Sequence, residues 1–440
     1  MSTLVPERRR ADTAVGPATG PATGSAIGTA PGAVSRWLVD RVLPGRSAAG
    51  VRPDRVPVLV LLAWGMLFLN VLPFLGATTI LPIPRPAAQL VNQGALVAGF
   101  GLALLANHRG TVRTSLFLML LSLLPIAGLA GAFSATYVSG AIFRACRFAV
   151  FVATLWLLTP WFGRRDLTLL RGHLLALRVI VGSVVLGLVA APGTARSFDG
   201  RLSGVIWPIP ATQVGHYSAV LLGVTFLGWA CRLTSTRTAL VTVVVAGPVL
   251  LLSHTRTALL ALLVALLVAG ATVFLSQARM RKVSATGLLI GVLGATVFAS
   301  RITDWLLRGQ SEQNIGQLTG RTKVWDMVFA QQRTALHDLF GSGMSNMSFN
   351  GLPIDSNWVA TYLDAGWFGM VVEGTFLLVL MLMVATHVRG PQRAIGAFLV
   401  VFVIVSSITE TGLSAPSSYL LELTIAASLL SSAPPREAVS

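Results

Sequence analysis

Long apolar runs alternate with short polar turns along most of this chain. A bilayer core takes about 20 apolar residues per helix. Twelve such runs stand near 56–76, 87–106, 114–133, 140–162, 173–191, 212–230, 238–253, 256–276, 284–300, 367–387, 394–410 and 416–432. They predict an all-α fold, a polytopic membrane helix bundle of about twelve transmembrane helices. Two stretches break the rhythm. Residues 1–54 contain "AVGPATGPATGSAIGTAPGAV", too poor in large apolar residues to form a core, which predicts a disordered cytoplasmic tail. "PERRR" has no hydrophobic segment directly behind it, so it is not read as a cleavable signal peptide. Residues 301–357 form one long polar interruption, and loops of that length are usually functional. Within it, "GRTKVWDMVFAQQRTALHDLF" sets Val324, Met327, Val328, Gln331 and Ala335 at helical spacing and predicts one amphipathic helix. Residues 358–432 then predict a short re-entrant helix and the last three spans, with a cytoplasmic tail at 433–440.

Composition agrees with this pattern. The chain is 54% hydrophobic and only 11% charged, against roughly 25% charged residues in a soluble domain. The net charge of +17 would suggest a nucleic-acid partner in another setting. Here its location explains it. With the N-terminus inside, the inward segments carry 22 of the 33 basic residues and the outward segments nine; Arg144 and Arg147 lie within the fourth span. The positive-inside bias therefore predicts a plasma-membrane protein with both termini cytoplasmic and no nucleic-acid partner. Cys146 and Cys231 have neither metal nor redox spacing and read as packing residues.

The polar residues inside the apolar runs gather towards the outward ends. Arg144 and Arg147, three apart, share a helix face. Asn92, Gln93, His216, Tyr217, Glu373, Glu410 and Glu422 sit at similar depth, as do His254 and Arg256 between the seventh and eighth spans. A charge at a span's centre costs about 2.5–3.5 kcal/mol on insertion scales. Snorkelling would explain an isolated arginine, and internal pairing with these arginines would explain the glutamates. Cations at one shared depth on several helices instead predict a water-accessible cavity that binds an anion. The planar guanidinium suits phosphate oxygens. The sequence has neither a Walker loop nor a dense Asp/Asn cage, so no metal and no cofactor is expected, and arginines would neutralise the leaving group.

Five segments resemble motifs of the O-antigen ligase and polymerase superfamily of bacterial surface-polysaccharide enzymes. "RLSGVIWPIPATQVGHYSAVLLG" is similar to its R-x-x-G outer loop, and "LSHTRTALLALL" to its S-x-(S/T)-R signature. "GRTKVW" resembles the G-R-x-x-x-W that opens a helix of the large loop. "LFGSGMSN" resembles the loop's G-x-G, and "DSNWVATYLDAGWFG" its exit. The resemblance covers roughly residues 190–430. It implies a GT-C-like membrane glycosyltransferase with a large helical extracytoplasmic loop. Such an enzyme takes glycan from an undecaprenyl-pyrophosphate-linked oligosaccharide donor and passes it to a glycan acceptor at the outer face of the membrane, beside membrane lipid. A flippase and a chain-length regulator of the same pathway are its expected partners.

Carried over by position, Arg201, Arg256 and Arg321 would bind pyrophosphate or glycan. Arg144 and Arg147 join them on depth alone, and His216, His254 and Asn357 are further candidates for substrate binding. Ligases of the family carry a His at the loop exit, where this chain has "PIDSNW". That departure favours a polymerase, with transfer to a lipid or protein acceptor as the alternative, and leaves Asp355 as the candidate base. Asp355 could equally cap the following helix. A secondary transporter or flippase of an anionic or lipid-linked solute is the reading from another class. No internal repeat of the kind common in transporters is visible.

Overall fold

A computed structural model describes residues 58–74, 79–80, 82–135, 137–164, 166–196, 200–274, 278–307, 321–345 and 348–431. The tails predicted at 1–54 and 433–440 lie outside them. Among the described residues the architecture is all-helical apart from one hairpin of two-residue strands, Ser348–Phe349 with Leu352–Pro353. In chain order the main helices are α1 (Val58–Val71), α2 (Arg85–Ala106), α3 (Leu116–Gly131), α4 (Val138–Leu157), α5 (Thr168–Ala190), α6 (Ala211–Ala230), α7 (Thr236–Leu252) and α8 (Arg256–Phe274). They continue with α9 (Ala278–Val297), α10 (Ala299–Leu307), α11 (Arg321–Phe329), α12 (Ala335–Phe340), α13 (Asn357–Thr386), α14 (Pro391–Ser406) and α15 (Ser418–Leu430).

A helix lies on each of the twelve predicted runs, but length separates them. Six helices among the described residues are long and apolar enough to cross a membrane: α2, α4, α5, α8, α13, and α3 extended by a 3-10 turn to Ser134. There are seven if α9 and α10, bent by 88°, count as one. Four apolar helices, α1, α7, α14 and α15, have 14, 17, 16 and 13 residues. At about 1.5 Å per residue they fall short of the ~30 Å hydrocarbon core. Of the roughly twelve expected spans, six or seven among the described residues have the length and composition to cross a membrane.

Burial explains part of the difference. α15 is buried along its whole length and α14 along most of it. α6, which carries Gln213, His216 and Tyr217, is likewise mostly enclosed. By contrast α2, α7 and α8 leave large apolar side chains such as Val97, Leu105, Val244 and Leu267 exposed. The enclosed helices sit at the centre of the bundle, around a continuous core that includes Phe148, Phe376, Phe398 and Phe402.

Loop-to-loop hydrogen bonds assign the chain's turns to two ends. At one end Asn107 donates to Leu157 O (3.0 Å), Gly163 N–H to Ser428 O (2.9 Å) and Arg279 to Trp229 O (2.9 Å). This end carries Arg109, Arg113, Arg164, Arg232, Arg237, Arg389 and Arg393. At the other end Leu202 N–H donates to Leu252 O (2.9 Å), Ile80 N–H to Val205 O (3.0 Å) and Trp207 to Pro73 O (3.2 Å).

The long helix α13 is two pieces. Gly366 has φ 63° and ψ −160°, outside helical geometry. In an unbroken helix Asn357 and Glu373 would stand about 24 Å apart, yet Asn357 Nδ2 donates to Glu373 Oε2 at 2.5 Å and Thr361 Oγ1 to Glu373 Oε1 at 2.8 Å. Residues 357–365 are thus a short helix folded back on 367–386. The 367–386 arm alone is about 30 Å long. The fold-back needs glycine: a Cβ at Gly366 would lie 2.6 Å from Asp338 O and Gly341 N.

The predicted amphipathic helix over 320–340 is also two pieces, α11 and α12. Thr334 takes the backbone over, its hydroxyl accepting from His337 N–H (3.4 Å) as an N-cap. Val324 and Val328 do face a small core with Ile354, Val359 and Leu363, whereas Met327 is exposed.

Candidate functional site

Four loops meet at the end of the bundle away from the basic turns. They are the α5–α6 loop, the α7–α8 turn, the segment before α13 and the α14–α15 loop. Arg201 in the first reaches the second: its Nε donates to Ser253 O (3.1 Å) and Nη2 to Thr255 Oγ1 (3.5 Å). The turn "SHTR" is tight, with His254 at φ 50°. Thr255 Oγ1 donates to Ala211 O (3.0 Å), and Ser253 Oγ to Leu250 O (2.7 Å). The turn presses on α6 so closely that a Cβ on Gly215 would lie 2.6 Å from both Ser253 Oγ and Thr255 Oγ1. His254 stacks on Trp305 of α10 at 5.4 Å and 23°. Arg256 opens α8 directly after Thr255, and Thr257 Oγ1 shares a 2.8 Å hydrogen bond with Thr409 Oγ1 in the fourth loop.

The segment before α13 is joined to the same loop through Asn357. Asn357 N–H donates to Ser407 O (3.0 Å), and its Oδ1 accepts from the N–H groups of Gly412 (3.2 Å) and Leu413 (2.8 Å). Two residues earlier, Asp355 Oδ2 accepts from Arg321 Nε at 3.2 Å, both side chains partly open to solvent. Asp355 is therefore an ion-pair partner and makes no helix-capping hydrogen bond among the described residues. Glu410 lies in the middle of the α14–α15 loop, half-buried, within electrostatic reach of Arg321, Asp355, His216 and Arg201. Burial raises its carboxyl to about 7; Arg321, His216 and Arg201 oppose that rise and Asp355 adds to it.

Arg201, Arg321, Asp355 and Glu410 thus form one mixed-charge cluster, and Arg256 opens α8 directly after the turn that Arg201 holds. The helices α6, α8, α13 and α15 all begin at this end. Because α5, α7 and α14 finish at the same end, their C-terminal dipoles offset those N-termini, and the charge balance rests on the side chains. Such a surface can hold an anion with several charged oxygens and keeps a carboxylate beside it.

Other expected site residues are placed differently. Asn357 is wholly buried, and its side chain is spent on Glu373 and the Gly412–Leu413 backbone, so it builds the frame and does not face substrate. His216 is buried too: its Nε2 pairs with Glu422 Oε1 at 2.5 Å, edge-on to Tyr217, Phe402 and Tyr419. Asn357 and Thr361 occupy both oxygens of Glu373, and His216 takes Oε1 of Glu422; the expected pairing with arginines is not what these contacts show. Arg147 Nη2 donates to Asn70 O (3.1 Å), in the α1–α2 region. Arg144 Nε donates to Met344 O (2.9 Å).

That last bond belongs to the G-x-G loop, which covers the end of the folded-back helix. Ser342 N–H donates to Leu363 O (3.0 Å) and Gly343 N–H to Asp364 O (3.1 Å), giving the helix's last carbonyls partners, and Ser345 N–H donates to the Asp364 carboxylate Oδ1 (2.9 Å). Arg144 and Arg147 so anchor backbone, and shared depth alone did not distinguish that from anion binding. Glu410 is the residue that motif reading passed over. Its signal was a carboxylate at the end of an apolar run, on the same side as the arginines. The hollow lined by Trp161, Arg164, Gln392 and Ser428 lies at the opposite, basic end and holds none of these residues. No family model matches this chain, and no curated protein matches it either.

Proposed function

We propose that this chain is a polymerase of a cell-surface polysaccharide. It transfers glycan from an undecaprenyl-pyrophosphate-linked donor to a sugar hydroxyl of an acceptor repeat at the outer face of the plasma membrane. In this reading the apolar helices make about twelve spans, the short central ones completed by their flanking loops. The basic end is cytoplasmic, and the mixed-charge end faces outward in a GT-C-like arrangement. The observation that carries the proposal is the meeting of Arg201, Arg321, Asp355 and Glu410 from separate loops, the first three on segments that resemble the superfamily's motifs.

The chemistry asks for little else. The acceptor oxygen attacks the anomeric carbon while the C1–O bond to pyrophosphate breaks. The electron pair of that bond leaves with the diphosphate, whose growing charge Arg321, Arg201 and Arg256 offset. A carboxylate takes the hydroxyl proton, and Asp355 is the one the motif pattern singles out. The decisive measurement is the pool of lipid-linked intermediates after deletion of the gene: single repeats accumulate on the carrier and long glycan disappears. Unchanged long glycan would sink the proposal. Loss of transfer to a terminal acceptor at unchanged chain length would favour the ligase alternative.

Transport has one observation in its favour, the interrupted helix α13, because transporters often break helices at a substrate site. The break lies nine residues into the helix, next to the loop end of the bundle, and Glu373 is closed over by its own helix. Labelling of site cysteines from the cytoplasmic side during turnover would revive that reading.

A further inference from the structure

Resting on the glycosyl-transfer reading, we propose that Glu410, rather than Asp355, takes the proton of the attacking hydroxyl. No motif marks Glu410; its loop does. Asn357 holds Ser407 on one side of it and Gly412 and Leu413 on the other, and the Thr409–Thr257 bond ties its neighbour to the start of α8. Its backbone is thereby fixed between the turn that carries Arg256 and the segment that carries Asp355.

The two carboxylates differ in what remains free. Asp355 gives Oδ2 to Arg321. Among the described residues the Glu410 carboxylate makes no hydrogen bond or ion pair. It nevertheless lies within electrostatic reach of Arg321 and Arg201 from the large loop and the α5–α6 loop, His216 from α6, Asp355 from the segment before α13 and Tyr419 from α15. A half-buried carboxylate with its lone pairs unspent, next to cations that can seat a diphosphate, suits a hydroxyl arriving opposite the leaving group. Burial holds it near 7, where a base both exists ionised and accepts a proton readily at neutral pH. The step balances. The acceptor O–H proton moves to a Glu410 oxygen as the new C1–O bond forms. The old C1–O bond gives its electron pair to the lipid pyrophosphate, and Glu410 then releases the proton to water. Asp355 holds Arg321 in place and so acts as a positioning residue.

The test uses the full-length protein in membranes and in detergent, with E410Q, E410D and D355N, and extracted lipid-pyrophosphate oligosaccharide as donor. E410Q is expected to lower kcat by about 10²–10⁴-fold with donor KM and donor binding little changed. Its residual rate should lose the acidic limb near pH 7, and E410D should recover part of the rate. D355N should raise donor KM and keep the limb. Wild-type kcat and pH profile in E410Q, or a limb lost in D355N alone, would overturn the assignment. So would loss of donor binding in E410Q, which would make Glu410 structural. A deletion strain with unchanged lipid-linked intermediates and glycan would remove the glycosyl-transfer reading, and this assignment with it.

Discussion

Asn357 shows how much one side chain can hold. Its amide bridges the re-entrant helix, Glu373 and the α14–α15 loop, all out of water. In Asn357→Ala, Glu373 keeps only Thr361, and two N–H groups lose their acceptor. Each buried group left unpaired costs about 1–3 kcal/mol, so thermal unfolding in detergent should shift down markedly. Arg321→Ala should do the opposite of that. Its pair with Asp355 is partly exposed, and such pairs are worth about 0–1 kcal/mol. Turnover, however, should fall by about 10²-fold or more if the guanidinium meets the leaving group; equal loss in both measurements would refute its assigned place. Glu410 also ties stability to pH. Its carboxyl is raised from 4.5 to about 7 in the folded protein, so the folded state binds the extra proton. Stability should then fall as pH rises from about 4.5 to 7, and E410Q should flatten that slope.

Among the elements, α13 carries the sharpest expectation. Gly366→Ala puts a Cβ against backbone atoms of Asp338 and Leu339 at 2.6 Å and forces a non-glycine residue to φ 63°. Neither can relax cheaply, because the obstacles are main chain. The variant should lose the fold-back, seen as faster proteolysis between α11 and α13. The apolar spacing located this helix, and the boundary near residue 367 was legible from "DAGWFG". The same reading missed the division of α11 from α12, since one threonine capping its own turn outweighs a helical spacing that Val324 and Val328 alone sustain. Helix lengths were least legible. The runs near 394–410 and 416–432 extend past Ser406 and Leu430, where α14 and α15 end, because a span's usual length of about 20 residues carries them into polar residues such as Ser407, Thr409 and Glu410. In the site, residues within motifs were found, whereas Glu410 depended on a contact between loops far apart in sequence.

For the whole molecule, the separation of basic and mixed-charge ends is the property to measure. With Cys146 and Cys231 replaced, single cysteines at Thr234 and at Ser203 should label from opposite faces of the membrane. A membrane-impermeant maleimide applied to intact cells should reach Ser203→Cys and spare Thr234→Cys until permeabilisation. The reverse order would turn the protein over and place the arginine cluster in the cytoplasm. The fold-back adds a mechanical corollary. Because Glu373 grips Asn357 and Thr361 of its own chain across the break, the perch beside Asp355 is latched to a membrane-embedded rod and cannot swing apart from it. On the proposed glycosyl transfer, the growing glycan would do the travelling, sliding past a stationary clamp after each addition.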